Sequence, residues 1–403
     1  MHILIITQYF WPETFRINDI AIGLQEKGHK VTILTGLPNY PEGKIYVGYG
    51  LFKKLSESWN GIKIYRSWMV PRGRNNSWLL FLNYISFVLF ASLRVLFLSG
   101  KYDRIFVYQV SPVSSIIPAW LAKRRYHIPL IINVQDLWPE TLASTRQGKN
   151  SFLIKWVGKL SDFLYKKADL LLLPFYSSQA LLEQRGVSSS QMYYLPNSTD
   201  SFYQPVARDP QFLEMLTGDT HLILTGNLGE AQGLDMIIEA AAILHPQYPG
   251  LRWILVGDGR SKVELKKQVE EKGLERIVTF PGRFPPSQIP AMIAHADASL
   301  LTLKREPIFA ITVPNRMQSY MACGKPILAS IDGEAAGIIA SANCGLSAPA
   351  GDLQQFISMV EQFMSIGAEE RAAWGINARN YYLHHFERDK ITTQLNTLLQ
   401  QTG

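Results

Sequence analysis

Cysteine is almost missing: the only two among 403 residues are Cys323 and Cys344. Two thiols cannot build a disulfide framework or hold a zinc ion by themselves, so both are expected to be buried and reduced. The eight histidines contain no His-Glu-x-x-His or related spacing, which argues against a metal centre. No zinc-finger, basic-zipper or RNA-sheet signature surrounds the basic residues, so nucleic acid is not an expected partner. Low-complexity tracts are also lacking, and 47% hydrophobic with 18% charged residues excludes a disordered chain. The opening segment MHILIITQYF lacks the charged head and cleavage site of a secretory signal. It reads as a buried first strand.

What the chain does have is length and a lopsided charge. Its size calls for about two to three domains. Residues 1–204 carry 23 basic and 12 acidic side chains, whereas 205–403 carry 17 and 21. The halves therefore meet different partners. The basic half, with Lys53, Lys54, Arg72 and Arg74, suits an anionic membrane surface, where each nearby cation contributes ~1 kcal/mol. The stretch 78–98 (WLLFLNYISFVLFASLRVLFL) is long and apolar, broken only by Asn83, Ser86, Ser92 and Arg94. Burial in its domain, an interfacial position and a membrane span all stay open for it, the last opposed by Arg94.

Strands alternate with helices twice along the chain. Strands are expected at 3–7, 30–35, 62–65, 104–108, 130–134, 170–173 and 192–195, then at 221–225, 252–256, 277–280, 298–303 and 326–329. Helical patterns lie between them. Such βαβ units imply two α/β domains with parallel sheets, 1–204 and 205–403, joined by a turn-rich linker. In doubly wound folds ligands collect at the carboxyl ends of the strands, here in a cleft between the two domains.

Four loops can carry chemistry. Thr225-Gly-Asn-Leu-Gly-Glu-Ala-Gln-Gly233 runs from strand to helix, and Gly226 and Gly229 would let the backbone approach a phosphate. It is neither a dinucleotide fingerprint nor a P-loop. Gly257, Asp258 and Arg260 form a second glycine turn that can reach ribose, base or phosphate. Pro314 and Asn315 start a helix beside Arg316, an arrangement suited to a diphosphate. Asp136 and Glu140 follow a buried strand and can orient or deprotonate an acceptor hydroxyl.

Together these motifs resemble glycosyltransferase family 4. The resemblance rests on Gly28-His-Lys-Val31, Leu195-Pro-Asn197, Val256-Gly-Asp-Gly259, Ala296-Asp297 and Met321-Ala-Cys-Gly-Lys-Pro326, in that order over most of the chain. Gln135-Asp-Leu-Trp-Pro139 and the run 314–322 resemble the branch that builds bacterial capsule, O-antigen and related surface polysaccharides. The resemblance implies the GT-B fold: two facing Rossmann-like domains with an interdomain cleft, the first membrane-facing and acceptor-binding, the second holding a nucleotide-sugar, and the last helix reaching back to the first. It also implies a retaining transfer without metal or other cofactor. Together with the basic first half and the apolar stretch, the expected enzyme is cytoplasmic, peripheral to the inner membrane, and acts on a lipid-linked saccharide.

The chain departs from the family at several positions. Asn227 and Gln232 stand where Arg and Lys usually neutralise the donor diphosphate. The usual glutamate pair falls near Ile311 and Ser319, and Gln135 replaces a histidine. Arg316, Lys325, Arg283 and Arg260 become the phosphate candidates, Ser319 remains a donor-site position, and Asp332 or Glu334 can replace the ribose acceptor. Two rival readings are a nucleotide-sugar epimerase or hydrolase on this architecture, and a scaffold with a decayed donor site.

Overall fold

The computed structural model describes residues 1–74, 76–143, 151–215 and 218–402. The chain forms two compact units. Met1–Pro196 and Asp389–Gly403 make the first, and Asn197–Arg388 the second. The boundary thus lies at 196/197 rather than at 204/205. Side chains explain the difference: Asn197 Nδ2 donates to Asn315 Oδ1 (3.0 Å), and the Thr199 hydroxyl bonds that of Ser319 (2.9 Å). These bonds tie the linker to the second unit.

The first unit contains eight strands: β1 (His2–Ile6), β2 (Lys30–Gly36), β3 (Ser56–Trp59), β4 (Ile62–Ser67), β5 (Arg104–Gln109), β6 (Leu130–Val134), β7 (Leu170–Leu173) and β8 (Met192–Tyr194). They lie in the order β3-β4-β2-β1-β5-β6-β7-β8, parallel except for the β3–β4 pair. Continuous apolar runs such as Ile3 to Ile6 and Leu130 to Ile132 are fully buried, as expected where helices cover both faces. The strand order reverses between β1 and β5, which makes their carboxyl ends the natural place for a ligand.

One helix of this unit inverts the usual pattern. Ser77–Phe97 buries Asn83 and Ser86 together with Phe87, Ala91 and Val95. Asn83 accepts from Gln8 Nε2 (2.8 Å) and donates to the Val70 carbonyl (2.6 Å), while Ser86 accepts from Val70 N (2.9 Å). Two of the four residues that interrupt the apolar stretch thus face inward, where polar groups need partners. Trp78 (65% exposed), Phe81, Ile85, Leu89, Leu93, Leu96 and Phe97 (80%) line the outer side. Arg94 folds over the Tyr65 ring at 5.5 Å rather than pointing along that stripe. The helix is long and apolar enough to cross a membrane by length and composition, yet one side is bonded to the segments that follow β1 and β4.

The second unit contains β9 (Thr220–Asn227), β10 (Leu251–Asp258), β11 (Val278–Gly282), β12 (Ala298–Thr302), β13 (Ile327–Ser330) and β14 (Gly345–Ala348). Their order is β11-β10-β9-β12-β13-β14, all parallel. Leu222, Leu224, Trp253, Leu255, Phe356 and Phe363 centre its core. The C-terminal tail resolves into helices Leu353–Ser365, Ala368–His385 and Arg388–Gln401. The last of these packs Leu395, Leu398 and Leu399 into the first unit's core beside Ile3, Ile5 and Leu24.

Candidate functional site

In the second unit the candidates gather at the carboxyl ends of β9 and β10. Gly226 and Gly257 pair in register inside the strands. A Cβ on Gly257, which has φ +139°, would lie 1.8 Å from the Gly226 carbonyl oxygen. Its glycine is required by contact between two backbones, which also explains why both strands run further than expected. Gly229 donates its amide to Gln232 Oε1 (3.0 Å), so the Gln232 side chain closes its own turn. With Asn227 and the exposed Glu230 as its other polar side chains, the loop carries no cation.

The helix Asn315–Ala322 supplies one. Pro314 precedes it with φ −63° and no amide to leave unsatisfied. Tyr320, fully buried, anchors the helix by accepting from Thr225 N at 2.8 Å. Arg316 then lies against the glycine turn. Its Nη2 donates to the Asn227 carbonyl (3.4 Å) and approaches a Gly226 Cβ position at 3.6 Å. Its Nη1 is buried and has no hydrogen-bond partner among the described residues. Burial pulls the guanidinium's pKa down from its usual value, and the only opposing influence is Tyr320.

Other candidates separate from this group. The Ser319 hydroxyl is bonded to that of Thr199, and Asn315 Oδ1 accepts from Asn197. Lys325 precedes β13 at the amino edge of the sheet and donates to the Ala294 and Ala296 carbonyls (2.8 and 2.7 Å). It caps the helix Ile289–His295 and is no phosphate ligand; burial draws its pKa down to about 8. Asp332 accepts from Ala350 N (3.1 Å), a structural bond. Glu334 begins the helix Glu334–Ala342 and is half-buried. Asp258 is exposed, bonded to Gly259 N (3.0 Å) and 3.7 Å from Lys262. Arg260 and Arg283 are exposed.

In the first unit Asp136 and Glu140 part company. Glu140 is paired with Arg185 (3.1 Å), which also holds Asp162 (2.7 Å). Its charge is spent on that network, so the catalytic assignment to Glu140 is withdrawn. Asp136 follows β6, and its Oδ2 accepts from both the amide (2.8 Å) and the hydroxyl (2.6 Å) of Ser111 after β5. Burial raises its pKa, and the Ser111 bonds oppose that rise. Its Oδ1 makes no hydrogen bond among the described residues, leaving an acceptor oxygen on a positioned carboxylate.

At the carboxyl ends of the other strands of this sheet stands a cluster that the motifs did not single out. Gln8 and Tyr9 follow β1, Asn39 and Tyr40 follow β2, and Arg72 follows β4. Tyr9 stacks on Phe15 (4.9 Å) and Phe15 contacts Tyr40 (5.1 Å). Arg72 is half-buried, 4.9 Å from the Tyr40 ring centre and bonded to the Tyr9 hydroxyl at 3.3 Å. Its neighbour Arg74 is exposed. The available signal was Thr7-Gln-Tyr-Phe-Trp-Pro-Glu13, an aromatic and polar run directly after a buried strand.

Comparison with known proteins fits this geometry. Residues 14–198 match the model of a glycosyl transferase 4-like domain, and 208–381 that of glycosyl transferases group 1. The probable glycosyltransferase WbjE of Pseudomonas aeruginosa is 25% identical over 68% of this chain and 69% of its own length. The putative colanic acid biosynthesis glycosyltransferase WcaL of Escherichia coli is 26% identical, over 44% of each chain. Among solved structures, Anabaena HepE in complex with UDP superposes with a TM-score of 0.74 at 18% identity, covering 99% of this chain and 100% of HepE. WaaG, a glycosyltransferase involved in lipopolysaccharide biosynthesis, gives 0.70 at 15% identity over the whole of both chains.

Proposed function

The chain belongs to the GT-B glycosyltransferases, with a glycosyl transferase 4-like domain followed by a group 1 domain, and from that premise we propose that it moves a sugar from a nucleotide-sugar to a lipid-linked saccharide during bacterial surface polysaccharide synthesis. The transfer retains the anomeric configuration and needs no metal. The observation that carries this reading is Arg316: a guanidinium with a buried, unpartnered Nη1 lies on a glycine turn that has no cation of its own. A leaving diphosphate would satisfy that donor, and the charge developing on it would be stabilised in place. WcaL supports the polysaccharide context by its name, WbjE supports glycosyl transfer, and the HepE complex with UDP supports a nucleotide donor. Asp136 takes the acceptor side, orienting the incoming hydroxyl through its open oxygen, while a donor phosphate oxygen accepts the proton.

The protein works at the cytoplasmic face of the inner membrane, lying on anionic lipid rather than crossing it. Three features of the first unit support this. The helix Ser77–Phe97 presents an apolar stripe while its other side bonds to the segments after β1 and β4. The helix Ser151–Lys166 exposes Phe152, Trp156 and Phe163. Between them the helix Ile117–Tyr126 borders a groove of about 950 Å³ lined by Arg104, Lys123, Arg124, His127 and Lys167, with Trp120 edge-on to Phe163 at 5.5 Å. Apolar rings beside cations suit a headgroup boundary.

A thermal-shift panel of nucleotide-sugars, followed by mass analysis of product formed with membrane extract, tests the reading. At least one donor should stabilise the chain, by about 2.7 kcal/mol at a hundredfold excess over Kd. Arg316→Ala should lower transfer by about 2–4 kcal/mol of transition-state stabilisation. Asp136→Asn should slow transfer by at least ~100-fold while the donor shift persists. No shift with any donor, or an Arg316→Ala enzyme within about twofold of the parent, would sink the proposal.

A further inference from the structure

We propose that Arg72 is the anion-binding residue of the acceptor subsite, and that the acceptor therefore carries an oxyanion close to the hydroxyl that is glycosylated. This rests on the acceptor-side assignment of Asp136, and it adds the acceptor's charge. The topology sets the place. β1, β2, β4, β5 and β6 end on one edge of the sheet, and they deliver there, in turn, Tyr9, Tyr40, Arg72, Ser111 and Asp136.

Arg72 is fixed rather than floating. Its amide donates to Asn39 Oδ1 (3.0 Å), and Asn39 is itself fully buried. Its guanidinium lies over the Tyr40 ring, 6.0 Å from the Tyr9 ring centre, with Nη1 on the Tyr9 hydroxyl. Yet among the described residues it has no carboxylate within ion-pair distance, unlike Arg66 on β4, which is paired with Glu57 on β3 at 2.6 Å. Both the Arg72 and Asp136 charges bear on the half-buried Tyr84 hydroxyl, the first lowering its pKa and the second raising it, although burial has the largest effect. A held, half-desolvated guanidinium with most of its donors unspent is built to receive an oxyanion. Aromatic faces beside it suit a sugar ring or the start of an isoprenoid chain.

The anion can be a carrier diphosphate or the carboxylate of an acidic sugar. We infer the diphosphate, because Arg72 lies just ahead of Ser77, where the outward apolar stripe begins. Binding of farnesyl diphosphate, farnesol and methyl glucuronide is measured on the full chain, with Arg72 intact, as Arg72→Gln and as Arg72→Lys. All three are read in an Arg316→Ala background so that the donor-side guanidinium does not contribute. Farnesyl diphosphate should bind at least ~10-fold more weakly to Arg72→Gln, with Arg72→Lys between, and farnesol should not discriminate. Dependence on Arg72 for methyl glucuronide alone would keep the anion subsite and overturn its assignment to the carrier. Equal binding of both anions to the parent and Arg72→Gln, or binding of neither, overturns the proposal. A nucleotide-sugar thermal shift, read separately with Arg316 restored, reports on the proposed function independently of this outcome.

Discussion

Glu13 is a carboxyl that the fold keeps almost entirely from solvent. It is 1% exposed, and its Oε1 accepts from the amides of Asn39 (2.8 Å) and Tyr40 (2.7 Å). Burial outweighs those bonds and pushes its pKa from 4.5 to about 7. Across that window the folded chain keeps a proton that the unfolded chain has lost. Stability therefore falls as pH rises from 4.5 to about 7, and stays lower above it. In Glu13→Gln the amide oxygen can accept the same two bonds without a charge. Urea unfolding should show a flatter pH dependence and, near pH ~8, a gain of about 1–3 kcal/mol. An unchanged slope would show that another group titrates. At this scale the sequence exposed residue types but not partners. The spacing of Asp136 and Glu140 after a strand marked both as candidates, and only Arg185 in space removes the second. Ser319 and Lys325 were likewise polar residues in a suggestive motif, spent on Thr199 and on two carbonyls.

Among the elements, the long buried strands were legible because an unbroken apolar run admits few other placements. β3 was not, since Ser-Glu-Ser-Trp offers no hydrophobic run; its signal was the Asn60-Gly61 turn, both residues at positive φ (48° and 79°), joining it to β4. β14 is short and built of small residues, too weak a pattern to separate from a loop. The helix Ser77–Phe97 was visible in extent but not in orientation, because hydropathy cannot say that Asn83 and Ser86 find partners inward. Its outer stripe makes a specific prediction. Leu89→Glu with Phe97→Glu should leave thermal stability nearly unchanged, since both side chains are exposed. Co-sedimentation with phosphatidylglycerol vesicles should drop by about 1.5–3 kcal/mol for each large side chain no longer buried in lipid, and binding of the parent should weaken with salt. Equal sedimentation of parent and variant would place the lipid contact elsewhere.

For the molecule as a whole, the alternation of strands and helices was enough to imply two α/β domains, while the return of the last helix depended on side chains far apart in sequence. Leu395, Leu398 and Leu399 fill the first unit's core, His29 bonds Asn396, and Arg104 Nε donates to the Leu399 carbonyl at 2.8 Å. Leu395→Ala or Leu399→Ala should each cost about 2–5 kcal/mol, read as earlier urea unfolding of the first unit. A loss below ~1 kcal/mol would mean that the helix only rests on that core. The same arrangement sets an order on biosynthesis. While the ribosome is still making residues 197–388, the first unit lacks the segment that closes it, so Ile3, Ile5 and Leu24 wait without that cover until Leu395, Leu398 and Leu399 emerge. A chain that ends between Arg388 and Leu395 would carry the second unit with an open first one, a species suited to capture by chaperones and proteases rather than to slow, partial activity.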